Sequence, residues 1–218
     1  MKDLQLVWES LPLLLKGALM TLKIAGLSGG MGILLGTLIG LGRTSGIRWL
    51  SALLGVYVEV IRGTPLYTQL LLVVFGLPQL LGVSFDEFPA AVITIGINSS
   101  AYVAEIIRGG IQSIDKGQME AARSLGMSRG MAMRYVILPQ AFKRVIPPLV
   151  NELVALIKES SLVSAIALVE LTRTAQLIGS RTFRSFPLYI AAALIYLIMT
   201  LTLSRLAGVL ERRLQASD

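Results

Sequence analysis

The 218-residue chain contains no cysteine and no histidine. With them go disulfides, thiol nucleophiles, the usual zinc sites and imidazole acid–base catalysis. Charge is scarce as well: Asp, Glu, Lys and Arg supply 15% of the residues, hydrophobic types 54%, and mean hydropathy is +0.73. That usage lies far from a soluble domain's. No Gly-rich loop ending in Gly-Lys-Ser/Thr is present, so the chain is not expected to bind ATP or any other cofactor itself. What remains is the composition of an all-α polytopic membrane protein.

The net charge of +7 sits mainly between apolar runs. There it sets membrane orientation, and no nucleic-acid partner is implied. The start of the chain, with Trp8, Glu9 and Pro12, lacks the pattern of a cleavable signal, so the first helix is expected to stay.

Residues 24–42 are free of charge and long enough for one crossing, and Lys16 and Lys23 precede them. Gly32, Gly36 and Gly40 recur every fourth residue, a face that permits close helix contact. Arg43 and Arg48 then mark the cytoplasmic side, which puts the N-terminus outside. Gly63-Thr64-Pro65 divides the next apolar run into a half helix over 51–62, with Glu59 and Arg62 paired one turn apart, and a crossing over 64–81. Residues 89–107 return inward.

Pro147-Pro148 is expected to open a fourth crossing, unusually polar, that reaches about Val169. The connector over 172–185 is then external although it carries Arg173, Arg181 and Arg184, and a docking surface for an extracytoplasmic binding protein would account for Arg181 and Arg184. Residues 186–203 make the last crossing, and Arg205, Arg212 and Arg213 put the C-terminus inside. The expectation is a single domain over 1–218 with five transmembrane helices, N-out and C-in.

Between the third and fourth crossings lies a polar island, about 108–144, too short to bury a core of its own. Glu120, Ala121 and Ala122 favour helix, Gly126 is a natural stop, and Ser128 can cap a second short helix that Pro139 ends. The string Met119-Glu120-Ala121-Ala122-Arg123-Ser124-Leu125-Gly126, closing with Ile137-Leu138-Pro139, resembles the cytoplasmic "EAA" loop of the permease subunits of bacterial ABC importers. Val136 stands where that family usually has Ile. Glu59 to Leu66, Ala101 to Glu105 with Arg108-Gly109-Gly110, and Lys158 to Leu162 are similar to its polar amino acid branch.

The resemblance implies a type I importer permease of the bacterial inner membrane. Its coupling helix, here Glu120, Ala121, Ala122, Arg123, Leu125 and Gly126, would seat in a groove on an ATPase subunit that holds ATP and Mg. A second permease copy, identical or related, and an extracytoplasmic substrate-binding protein would complete the assembly.

Charged groups in the hydrocarbon are costly and by default pair or line a pathway. Glu152 and Glu159 are seven residues apart and so share a helix face at about 10 Å separation. Asn98 and Glu159 both fall about 15 Å into the membrane. Two acids and a carboxamide in one place suit a cationic amino acid such as arginine, lysine or histidine, the acids meeting its α-ammonium and side-chain cation and Asn98 donating to its α-carboxylate, while Lys158 can also neutralise one glutamate or approach that carboxylate. Tyr102 and Gln69 are flanking candidates. The alternatives are a structural Lys158–Glu159 network and an interhelical hydrogen bond at Asn98. No catalytic or metal-binding residue is expected. The runner-up substrate is a polar neutral amino acid such as glutamine, and the rival mechanism is a proton-coupled secondary transporter with Glu152 and Glu159 as carriers.

Overall fold

The computed structural model describes residues 2–215, and side chains over residues 3–209. Arg212 and Arg213, assigned above to an inside C-terminus, have side chains outside that range. All regular structure among the described residues is helical.

Helix α1 runs unbroken over Lys2–Thr44, 43 residues. At 1.5 Å per residue it is about 64 Å long, twice a hydrocarbon core, so it extends well past the single crossing expected over 24–42. Helix α2 (Arg48–Arg62) meets α3 (Leu66–Leu81) at a 96° bend. The break falls where Gly63-Thr64-Pro65 predicts it. Carbonyls freed at the bend are taken up by side chains: Gln69 Nε2 donates to Ile61 O at 2.8 Å and Thr64 Oγ1 donates to Val60 O at 3.0 Å, which lets a broken helix persist in apolar surroundings.

Helix α4 (Glu87–Gln112) packs along α1. The contact is the glycine ladder: a Cβ added at Gly32 would lie 2.6 Å from Ser99 Oγ, one at Gly36 2.5 Å from Val103 Cβ, and one at Gly40 2.8 Å from Ala104 O. Only a missing side chain allows this approach. Glu105, near the end of α4, gathers the neighbouring helices. It accepts from Arg43 of α1, pairs with Arg108 at 2.6 Å and lies 3.9 Å from Arg62 of α2. The expected Glu59–Arg62 pair is therefore replaced, because a carboxylate on the facing helix already serves Arg43 and Arg108 and draws Arg62 in.

Helix α5 (Lys116–Ser124) is followed by α6 (Arg129–Ala132), which passes through a wide turn at Met133–Ile137 into α7 (Leu138–Glu159). Two expectations fail here. Pro139 does not end a helix but sits in the first turn of α7, where its missing N–H costs nothing. Pro147 and Pro148 lie inside α7, so this helix starts well before the membrane segment they were expected to open.

A 3₁₀ segment, Ser160–Ile166, ends at Ala167 with φ 64°, and α8 (Leu171–Thr182) follows. The connector expected to be external is thus mostly helix, packed against α1 through the core of Leu14, Ala18, Leu171, Ala175 and Leu188. Arg184, one of its two proposed docking arginines, instead pairs with Asp3 at 3.1 Å. The last helix, α9, spans Ser185–Gln215.

By length and composition α1, α4 and α9 can each cross a membrane, and the bent α2–α3 pair supplies a fourth candidate. Helix α7 is long enough but too polar to count on those terms.

Candidate functional site

Helix α7 brings Glu152 to α4. Ser99 Oγ donates to Glu152 Oε1 at 2.8 Å, and one residue earlier Asn98, 4% exposed, donates from Nδ2 to Gln69 Oε1 of α3 at 2.9 Å. Three helices thus meet through two polar contacts in otherwise apolar packing. Asn98 makes the interhelical bond weighed against its substrate role, and it brings Gln69 into the site with it. Beneath them Ile24, Leu70, Ile95 and Leu156 form a dry core that fixes the helices' relative positions.

Glu159 stands two turns beyond Glu152, half-buried, at the last position of α7. It lines a groove of about 310 Å³ with Ala155, Lys158, Ser161 and Leu162. Lys158 and Ser161 also line an adjoining groove of about 440 Å³ walled by Thr172, Tyr189 and Tyr196. Lys158 is exposed and has no ion pair with Glu159 among the described residues, so the buried Lys158–Glu159 network is not formed. Nor does a hydrogen bond among the described residues link Glu159 to Glu152 or Asn98. Tyr102 lies apart: its ring receives the Arg62 guanidinium at 5.2 Å, a cation–π contact.

Beyond the site helix, the start of α8 is tied to α1 and α9 by a residue that sequence reasoning passed over. Glu170 is fully buried and caps α8, accepting from the backbone of Thr172 at 2.9 Å and Arg173 at 2.8 Å. It also accepts from Tyr196 of α9 at 2.6 Å and from Thr21 of α1 at 3.3 Å. Four donors satisfy one buried carboxylate. An acid just ahead of a helix start is a readable capping signal, but Glu170 falls between the crossing expected to reach about Val169 and the connector expected over 172–185, and is assigned to neither.

At the other end of the molecule α5 begins at Asp115, whose Oδ1 accepts from Gly117 N at 2.7 Å, and ends before Gly126 at φ +82°. That backbone region favours glycine, as expected of the stop. Ala122 is buried, while Glu120, Ala121, Arg123 and Leu125 are exposed, Leu125 at 83%. Ile114 and Met119 hold the helix to Ile137 and Ala141. The result is a short helix on an apolar seat that presents a mixed polar and leucine face outward.

Residues 4–216 match the family model described as the binding-protein-dependent transport system inner membrane component. The chain belongs to that family. Its relatives include the arginine transport system permease protein ArtQ of Bacillus subtilis, 44% identical over 216 residues and covering 99% of each chain. The glutamine transport system permease protein GlnP of Escherichia coli is 45% identical over 215 residues, 98% of each. Among solved structures, a crystal structure of an amino acid ABC transporter with histidines superposes with a TM-score of 0.91 at 51% identity, covering 95% of this chain and 96% of that one. The methionine ABC transporter, at a TM-score of 0.69 and 22% identity, shares the fold. This permease is therefore an integral inner-membrane subunit of a polar amino acid ABC importer.

Proposed function

We propose that the permease passes cationic amino acids inward, using Glu152 and Glu159 on α7 as its cation-binding groups. The observation that supports this is the placement of the two acids. Glu152 is half-buried with a single side-chain donor, Ser99, and Glu159 faces a groove with none. A substrate bearing an α-ammonium and a side-chain cation matches two such carboxylates, and charge-assisted bonds of this kind are the strong ones. Lys158, at the lip of the same groove, suits the α-carboxylate, and the bond from Asn98 to Gln69 ties α4 to α3 beside Ser99.

In this reading the chain crosses the membrane five times, N-out and C-in, with the α2–α3 pair and α7 counted as crossings. Two copies enclose the pathway, since the grooves of one are open. The exposed face of α5 seats on an ATPase subunit that carries ATP and Mg. Closure of the ATPase pair moves α5, and through Ile114, Met119 and Ile137 moves α4 and α7. An extracytoplasmic binding protein delivers substrate to the far side.

A second reading, import of a neutral polar amino acid such as glutamine, is favoured by the 45% identity to the glutamine permease and by Lys158 beside Glu159. The test is uptake into proteoliposomes holding the permease with its ATPase subunit, comparing labelled arginine and glutamine with and without ATP. ATP-dependent arginine preference supports the proposal. Glutamine preference supports the second reading, and uptake driven by a proton gradient without ATP contradicts both.

A further inference from the structure

At the end of α1 remote from α5, a groove of about 370 Å³ runs between α1 and α8. Its floor is set by Gly17, where a Cβ would lie 2.7 Å from Thr174 Oγ1 and 2.9 Å from Leu171 Cα. Its walls are apolar, from Leu13, Met20, Val169 and Leu177, and its polar lining includes two cations, Lys16 and Arg181. Both are exposed, and neither has an ion pair or hydrogen bond among the described residues. The nearby acids are engaged elsewhere: Asp3 with Arg184, Glu9 with Gln5, and Glu170 with Tyr196 and the start of α8.

Depth decides what such a groove meets. The charge-free run 24–42 is about 28 Å long, one hydrocarbon thickness. Lys23 then stands at its edge, and Lys16 lies about 10 Å further out, at the level of lipid headgroups. Leu19, Leu22 and Leu27 are exposed along the same helix and continue the apolar surface back into the hydrocarbon. Paired cations outside an apolar track match a phosphate above an acyl chain.

We propose that this groove binds one anionic phospholipid per permease, in the leaflet opposite the coupling helix, with its phosphate held by Lys16 and Arg181. A zwitterionic lipid offers the same chain and phosphate but brings its own ammonium against the two cations, so the site discriminates by net charge.

The experiment is native mass spectrometry of the delipidated permease–ATPase complex, titrated with phosphatidylglycerol, phosphatidylethanolamine or inorganic phosphate. Wild type is expected to retain one more phosphatidylglycerol per permease than the Lys16→Gln/Arg181→Gln variant, whose affinity at this site falls about 30-fold at roughly one tenfold step or less per cation. The charge-keeping Lys16→Arg/Arg181→Lys variant retains the lipid, which separates lost charge from lost fold. Equal retention of the two phospholipids, phosphate competing as well as lipid, or no change in the neutralised variant overturns the proposal. So does a neutralised variant that keeps its lipid but no longer captures an amino acid-loaded extracytoplasmic binding protein, which would make this face a protein-docking surface.

Discussion

Ser99 of α4 donates to Glu152 of α7 at 2.8 Å, a side-chain hydrogen bond that joins the two helices flanking the proposed pathway. It sits beside the contact of Ser99 with Gly32 of α1. The serine is therefore small for packing on one side and polar for the glutamate on the other. Ser99→Ala keeps the packing and removes the donor. Stability is expected to drop by about 1 kcal/mol, while arginine uptake falls several-fold as Glu152 loses its fixed orientation. Thermal unfolding and uptake on the same preparation check both halves.

Gly36 presses on α4 without room for a side chain, the added Cβ falling 2.5 Å from Val103 Cβ and 2.6 Å from Ser100 O. Gly36→Val should cost roughly 1–3 kcal/mol through overpacking. Gly26→Ala, on the same helix but with nothing within 4 Å, should be neutral or slightly stabilising. Detergent thermal melts of the two variants distinguish packing from helix propensity.

The hub at Glu105 joins α1, α2 and α4 through Arg43, Arg62 and Arg108. Glu105→Gln leaves three guanidinium groups without their shared carboxylate. The expected outcome is looser transmission from ATPase to pathway: ATP hydrolysis by the assembled complex stays or rises while uptake per ATP drops. Unchanged coupling would mean that the hub is only a staple.

Much of this was legible beforehand because it rests on local chemistry. Gly63-Thr64-Pro65 removes and redirects backbone donors wherever it occurs, so the bend between α2 and α3 was readable. Gly126 and Ser128 were readable for the same reason, as stop and cap. The glycine ladder pointed to a close helix contact, though not to α4 as its partner. What stayed hidden depends on tertiary neighbours. Arg62 turns to Glu105 and not to Glu59 one turn away, because a facing helix supplies the better carboxylate. Pro147 and Pro148 read as a helix start yet lie inside α7. Asn98 and Gln69 were both named as site candidates, but nothing in their 29-residue separation shows that one donates to the other.

The outward face of α5 offers a fourth test. Leu125, 83% exposed, and Glu120 are the side chains proposed to meet the ATPase. Leu125→Asp is expected to leave the permease folded, since it touches nothing in the core, and to weaken ATPase retention at least about tenfold, as loss of a buried apolar anchor does. Co-purification at graded salt concentration reads this directly. Gly126→Val, by contrast, should disturb the helix end itself because of the positive φ.

The most direct test of the central claim is the ratio of ATP-driven arginine to glutamine uptake in proteoliposomes, measured for the wild type and for Glu159→Gln. If Glu159 holds a substrate cation, neutralising it lowers arginine uptake at least about tenfold, the scale of one lost charge-assisted bond, while glutamine uptake and ATPase assembly hold steady. An unchanged ratio would contradict the role assigned to the carboxylate and leave the permease's selectivity to other residues.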